Sequence, residues 1–264
     1  ISFVRMRQAR PAIASFRSIL DGIEAGDVGG VDEERMENLA WISLARVYYT
    51  AANQGGQIDG TLLGQSVESW TKVEQSSEYW LDSLFESSWA FFLADEYSRA
   101  LGNVHTLYSP YFTDSYYPEA LVLKAVTFFV NCQVDNAEAT VAQFHDLYDP
   151  VKQELDAVLA EHPDNAAFFE FLQEVRNGSA DLSPRVRPIV STALSDRTVL
   201  QHLEYVSLLD EEQERLNATS STFQESPGGG KVLEDIALAG GLGGEQGGDL
   251  AGGRYQRLIG ERGE

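Results

Sequence analysis

Cysteine occurs once in these 264 residues, at Cys132, so no disulfide can close within the chain and no cysteine cluster can hold zinc. Lysine is confined to Lys72, Lys124, Lys152 and Lys231. Basic residues number 19 against 41 acidic ones, and the formal charge of -22 repels a phosphate backbone, so no nucleic-acid partner is expected. Long apolar runs are also missing. The longest candidate, residues 120–130, is interrupted by Lys124 and Thr127 and falls short of the roughly 20 residues that cross a bilayer. The sequence starts at Ile1 rather than a methionine, and the first residues lack the charged, apolar and small-residue order of a signal peptide, so Ile1 is expected to mark a processed product or a fragment.

What is present is enough apolar material, 43% of residues, to bury a core without covalent staples. The acidic, lysine-poor balance has two readings. It adapts a solvated surface, to high salt for instance, or it presents an acidic face to a basic partner.

The chain repeats itself. In Trp41-Ile-Ser-Leu-Ala-Arg-Val-Tyr48, apolar residues fall at helical spacing around small Ala45. The same order returns as Leu84, Ser88 and Phe91, and again as Leu121, Ala125 and Phe128. A second small residue, Ala100 or Ala137, follows twelve positions after Ser88 or Ala125 and opens a second apolar pattern. Small side chains let antiparallel helices approach, and large ones a turn away fill the space beside the contact. Paired helices in tandem are therefore predicted.

This order resembles the tetratricopeptide repeat, whose usual length is about 34 residues. The resemblance implies an all-α fold, a solenoid of antiparallel helical hairpins with a C-terminal helical extension. Residues 36–148 are expected to form three hairpins. Residues 1–35 hold a partial N-terminal repeat, in which Ala12, Phe16 and Ile19 match a second helix. Two features depart from the pattern: Ser87 and Lys124 stand where leucine is usual, and an insertion runs from Ala51 to Gly60, ahead of a helix expected over Leu62 to Val73.

Beyond Tyr148 the pattern changes. Additional short helices are expected over 149–183, one opened by Pro150 and ending near Leu159, the next capped by Asp164. Residues 184–264 are expected to form a C-terminal helical hairpin or a glycine-rich tail, with Ser195-Asp196 capping its first helix. Glycine costs about 1 kcal/mol against alanine within a helix, so the segment after Pro227 reads as weak helix or disorder. Val232, Leu233, Ile236, Leu242, Leu250, Tyr255, Leu258 and Ile259 nevertheless keep an apolar face.

Candidate chemistry is sparse. The glycines before Lys231 lack the spacing of a phosphate loop, since Gln224 and Val232 occupy its defining places. His105, His145, His162 and His202 have no partner at metal-ligand spacing, and the first two read as half-buried packing residues. Glu86 and the pair Asp95-Glu96 invite a paired-carboxylate site, but acids before a helix serve as caps, and Cys132 reads as a small buried residue. No catalytic, metal or cofactor site is expected.

The resemblance instead implies a concave groove lined by the first helix of each hairpin. Carried over residue by residue, its groove positions are Arg46 and Tyr49, then Phe85, Trp89 and Phe92, then Val126 and Phe129. Such a groove suits an amphipathic helix or an extended peptide with large side chains, unless the C-terminal helices of the same chain cover it. The implied function is non-enzymatic scaffolding between proteins, and the alternative is a soluble peptide-binding adaptor or chaperone. The run from Ala100 to Phe112, followed by Tyr117 to Ala125, more narrowly resembles cell-envelope repeat proteins of gliding and predatory bacteria. That likeness implies a periplasmic or outer-membrane-associated assembly of motility or secretion machinery, with the cytoplasm as the alternative.

Overall fold

The chain was analysed as a computed structural model. It describes Val4, Met6 and residues 8–27, 32–54, 56–112, 115–162, 164–187, 189–190 and 197–260, with side chains in the last stretch described over 199–250. Among the described residues the chain is all-α, with no strand. Contacts divide it into two compact units, residues 1–145 and 146–264.

The first unit opens with α1 (Ala9–Glu24), which packs on α2 (Glu33–Ala52). The Asp32 carboxylate accepts from Arg35 N at 3.2 Å and begins α2. Asp59 begins α3 (Gly60–Trp70) in the same way, accepting from Thr61 N at 2.9 Å and Leu62 N at 3.1 Å. Helix α3 thus starts at the end of the insertion, two residues earlier than the apolar pattern predicts. Then come α4 (Trp80–Leu93), α5 (Tyr97–Leu107) and, after a 3-10 turn at Pro110–Phe112, α6 (Pro118–Val130). Two core clusters join successive helices. Ile42, Ala45 and Ala52 of α2 meet Leu63 and Trp70 of α3 and Ala90 of α4, while Val104 and Leu107 of α5 meet Ala120 and Leu123 of α6. Ala45 and Ser88 are completely buried, as close helix approach requires.

The repeat extends to the backbone. Helix α4 ends with Asp95 at φ 58°, and α6 ends with Cys132 at φ 58°, 37 residues later. At the first, Glu96 N donates to Phe91 O at 2.8 Å and Asp95 N to Phe92 O at 3.1 Å; at the second, Gln133 N donates to Phe128 O and Cys132 N to Phe129 O, both at 2.9 Å. These are two copies of one left-handed helix stop. Cys132 is exposed in that turn, contrary to the expectation of a buried residue, because the turn lifts it away from both helices.

Helix α7 (Val134–Glu161) runs through Pro150 rather than starting there. A proline inside a helix costs about 3 kcal/mol. Burial offsets that cost, since Tyr148, Val151, Leu155 and Val158 make one continuous buried stripe past it.

In the second unit, α8 (Asn165–Asn177) starts on the Asp164 carboxylate, which accepts from Ala167 N at 2.8 Å, and stops at Gly178, where φ is 76°. Helices α9 (Arg197–Asn217), α10 (Ser221–Gln224) and α11 (Pro227–Gly260) complete it. The cap expected at Ser195-Asp196 lies outside the described residues. Helix α11 packs against both α8 and α9; of the apolar face read from the sequence Leu233 and Ile236 are half-buried, but the deepest burial falls on glycines instead. Val232, Leu242 and Leu250 are exposed, whereas Gly243, Gly244, Gly247 and Gly248 are buried against Phe169, Tyr205, Val206 and Asn165. Glycine lets the helix backbones approach more closely than leucine would allow, and the contact so formed holds a segment of poor intrinsic helix propensity in helical form. The side chains of Tyr255, Leu258 and Ile259 lie outside the described set.

Candidate functional site

The expected site residues all lie on α2, α4 and α6, the helices read from the sequence as the first of each expected hairpin. Arg46 of α2 reaches across to α4. Its Nε donates to both Glu86 carboxylate oxygens at 2.9 Å, its Nη2 donates to Oε1 at 2.6 Å, and Asp82 lies 3.9 Å away. Hydrogen bonding to Glu86 raises the pKa of the guanidinium above its ordinary value. Glu86 also accepts from Trp70 Nε1 at 3.1 Å, so one carboxylate joins α2, α3 and α4. Tyr49 stacks obliquely on Trp70, with ring centroids 5.7 Å apart, and burial raises its hydroxyl pKa. Arg46 and Tyr49 also line a cavity of about 780 Å³ between α1 and α2, whose other walls include Ala12, Phe16 and Val47.

Asp82 makes the corresponding link to the start of α6. It accepts from Tyr117 Oη at 2.7 Å, and the Tyr117 ring lies 5.4 Å from Phe85. Burial first, and then the bond to Asp82, push the Tyr117 pKa far up. Trp89 and Phe92 meet edge to face at 6.4 Å, and Phe92 meets Tyr97 at 5.7 Å. Phe85, Trp89 and Phe92 are thus half-buried and pack on the core shared by α5 and α6.

Helix α6 differs. Val126 is 39% exposed and Phe129 66%, and Val122 and Val130, each 46% exposed, extend them into one stripe along α6. Sequence reasoning missed Val122 and Val130, although their spacing of four from Val126 was a visible signal. It also missed that the two departures from the repeat pattern have partners on the following helix. Asn103 of α5 donates to Ser87 Oγ at 2.9 Å, and Lys124 Nζ donates to Gln143 of α7 at 3.4 Å.

Other expectations are corrected. Asp95 and Glu96 do not cap α5 with their side chains; Asp95 accepts from Tyr97 Oη at 2.6 Å, and Glu96 pairs with Arg99 at 2.7 Å. His105 and His145 are exposed rather than half-buried, because each follows an inward residue by one position and so turns outward. Among the described residues no group of three or more His, Cys, Asp or Glu side chains could hold a metal ion, and no helix is long and apolar enough to cross a membrane.

No family model matches the chain, and neither curated proteins nor solved structures yield a match. The class that the structure defines is therefore an all-α protein, among its described residues, in which a left-handed helix stop recurs after 37 residues.

Proposed function

We propose that the three hairpins form a solenoid of the tetratricopeptide kind, and that the protein is a non-enzymatic scaffold whose first-helix face holds another protein. The observation that carries this reading is the exposed stripe Val122, Val126, Phe129 and Val130. Contiguous apolar surface of this kind on a folded protein marks an interaction site. The charged groups on the same face support it, because Arg46, Asp82 and Glu86 spend their bonding on tying helices together. An envelope location follows from the narrower sequence resemblance alone and belongs to the same proposal.

The test is cross-linked affinity purification from native cells with the wild-type chain and with Val126→Ser/Phe129→Ser, which alters exposed positions only. A scaffold yields one partner at fixed ratio that disappears in the variant. An adaptor brings down many clients, and retention of the partner in the variant rules out this face. Fractionation of the same cells tests the envelope location.

A further inference from the structure

The 37-residue repeat sets positions of α4 and α6 in correspondence. Asp82 corresponds to Glu119, Phe85 to Val122, Trp89 to Val126, and Phe92 to Phe129. In α4 this set is occupied: Tyr117, at the entrance of the next hairpin, donates to Asp82 and lies on Phe85. In α6 the same set is open. Val122, Val126 and Phe129 are exposed, and Glu119 has neither a hydrogen bond nor an ion pair among the described residues.

The surroundings state what could fill it. Helix α7 begins just past Val130 and brings Asp135 and Glu138, which also lack partners among the described residues. Residues 80–145 hold eight acidic side chains against two basic ones, Arg99 and Lys124. Both cations are engaged, Arg99 with Glu96 and the Phe91 ring, Lys124 with Gln143. A second copy of a chain of charge -22 meets like charge here, and so does an anionic lipid surface.

We infer that the α6 stripe receives a cationic amphipathic helix of a partner protein, which takes the place that α6 itself takes on α4. Its apolar ridge covers Val122, Val126 and Phe129, and a Lys or Arg donates to Glu119 where Tyr117 donates to Asp82. From Glu119 to Val130 the stripe runs about 16 Å at 1.5 Å per residue, matching roughly three turns of the incoming helix. This inference rests on the reading of the face as a protein-binding surface and adds the chemistry of what binds.

The probe is a synthetic amphipathic helix of roughly four turns with a leucine ridge and flanking lysines, compared with the same peptide carrying glutamates. Both are titrated calorimetrically into the full chain. The lysine peptide is expected to bind, and Val126→Ser/Phe129→Ser and Glu119→Lys/Glu138→Lys each to weaken it about tenfold or more, with the charge-reversed variant gaining affinity for the glutamate peptide. Equal binding of the lysine peptide to wild type and Val126→Ser/Phe129→Ser reduces the effect to bulk charge and overturns the inference, as does equal binding of both peptides to the wild type. A wild-type dimer in light scattering that Val126→Ser/Phe129→Ser makes monomeric overturns it in favour of a second copy. If cross-linking shows a partner lost in that variant while the peptides show no preference for lysine, the scaffold reading stands and only the cationic helix fails.

Discussion

Arg46 and Glu86 are bound through both carboxylate oxygens, and the same carboxylate holds the indole of Trp70, a residue only 3% exposed. The two bonds can be separated. Glu86→Gln keeps an acceptor for Trp70 and loses the ion pair, which is expected to cost up to about 1 kcal/mol. Glu86→Ala also strands a buried N–H and is expected to cost about 1–3 kcal/mol more. Urea denaturation of the two variants measures the difference, and equal losses would show that the indole bond contributes nothing.

Ser87 stands where the repeat pattern calls for leucine, and Asn103 of the following helix donates to it at 2.9 Å. Asn103→Ala is expected to destabilise by about 1–2 kcal/mol, whereas Ser87→Ala/Asn103→Leu is expected to be near neutral, because it replaces both partners by apolar groups of nearly the same shape. A double-mutant cycle by thermal unfolding checks the coupling.

Gly247 and Gly248 face α8. A Cβ on Gly247 would lie 2.7 Å from Phe169 Cδ2, and one on Gly248 would lie 2.6 Å from the carbonyl carbon of Asn165. Gly248→Ala must move a backbone and is expected to cost several kcal/mol, roughly 2–4, as overpacking does. Gly240 and Gly241 have open space at the same atom, so alanine there is expected to stabilise by about 0.5–1 kcal/mol. Guanidinium denaturation with opposite signs at the two pairs is the expected result; the same sign at both would mean that the glycine face is not packed.

Cys132 sits at φ 58° with its side chain exposed. The left-handed conformation costs a residue with a Cβ about 1 kcal/mol, so Cys132→Gly is expected to raise stability by about that amount. A lowered melting temperature would count against the left-handed stop.

The Tyr117 hydroxyl is held protonated by burial and by Asp82, so its folded pKa lies above its unfolded one. Its contribution is fully present below the unfolded value of about 10 and falls as pH rises beyond it, because the unfolded chain then binds fewer protons. Stability is expected to be flat in this respect up to about pH 9 and to decline above pH 10, with a shallower decline in Tyr117→Phe. Chemical denaturation across alkaline pH measures it.

The all-α character was legible because Ala45, Ser88 and the residues a turn away recur at helical spacing, and spacing within a helix is local geometry. The continuous α7 was not legible, since Pro150 is a local breaker whose cost is offset only by the buried stripe from Tyr148 to Val158. The most deeply buried positions of α11 were missed for a related reason. Apolar periodicity selects leucine for the core, while close helix approach selects glycine.

The candidate site shows the same division. The sequence by itself determined that an aromatic stands at Phe92 and again at Phe129, one repeat apart, each just before a left-handed stop. Only the tertiary structure decided their fates. Phe92 meets Tyr97 and is half-buried, whereas the residue corresponding to Tyr97 is Val134, 54% exposed, and Phe129 is left 66% exposed. Burial depends on what the neighbouring helix brings to the contact, and periodicity along one strip of chain carries no record of that neighbour.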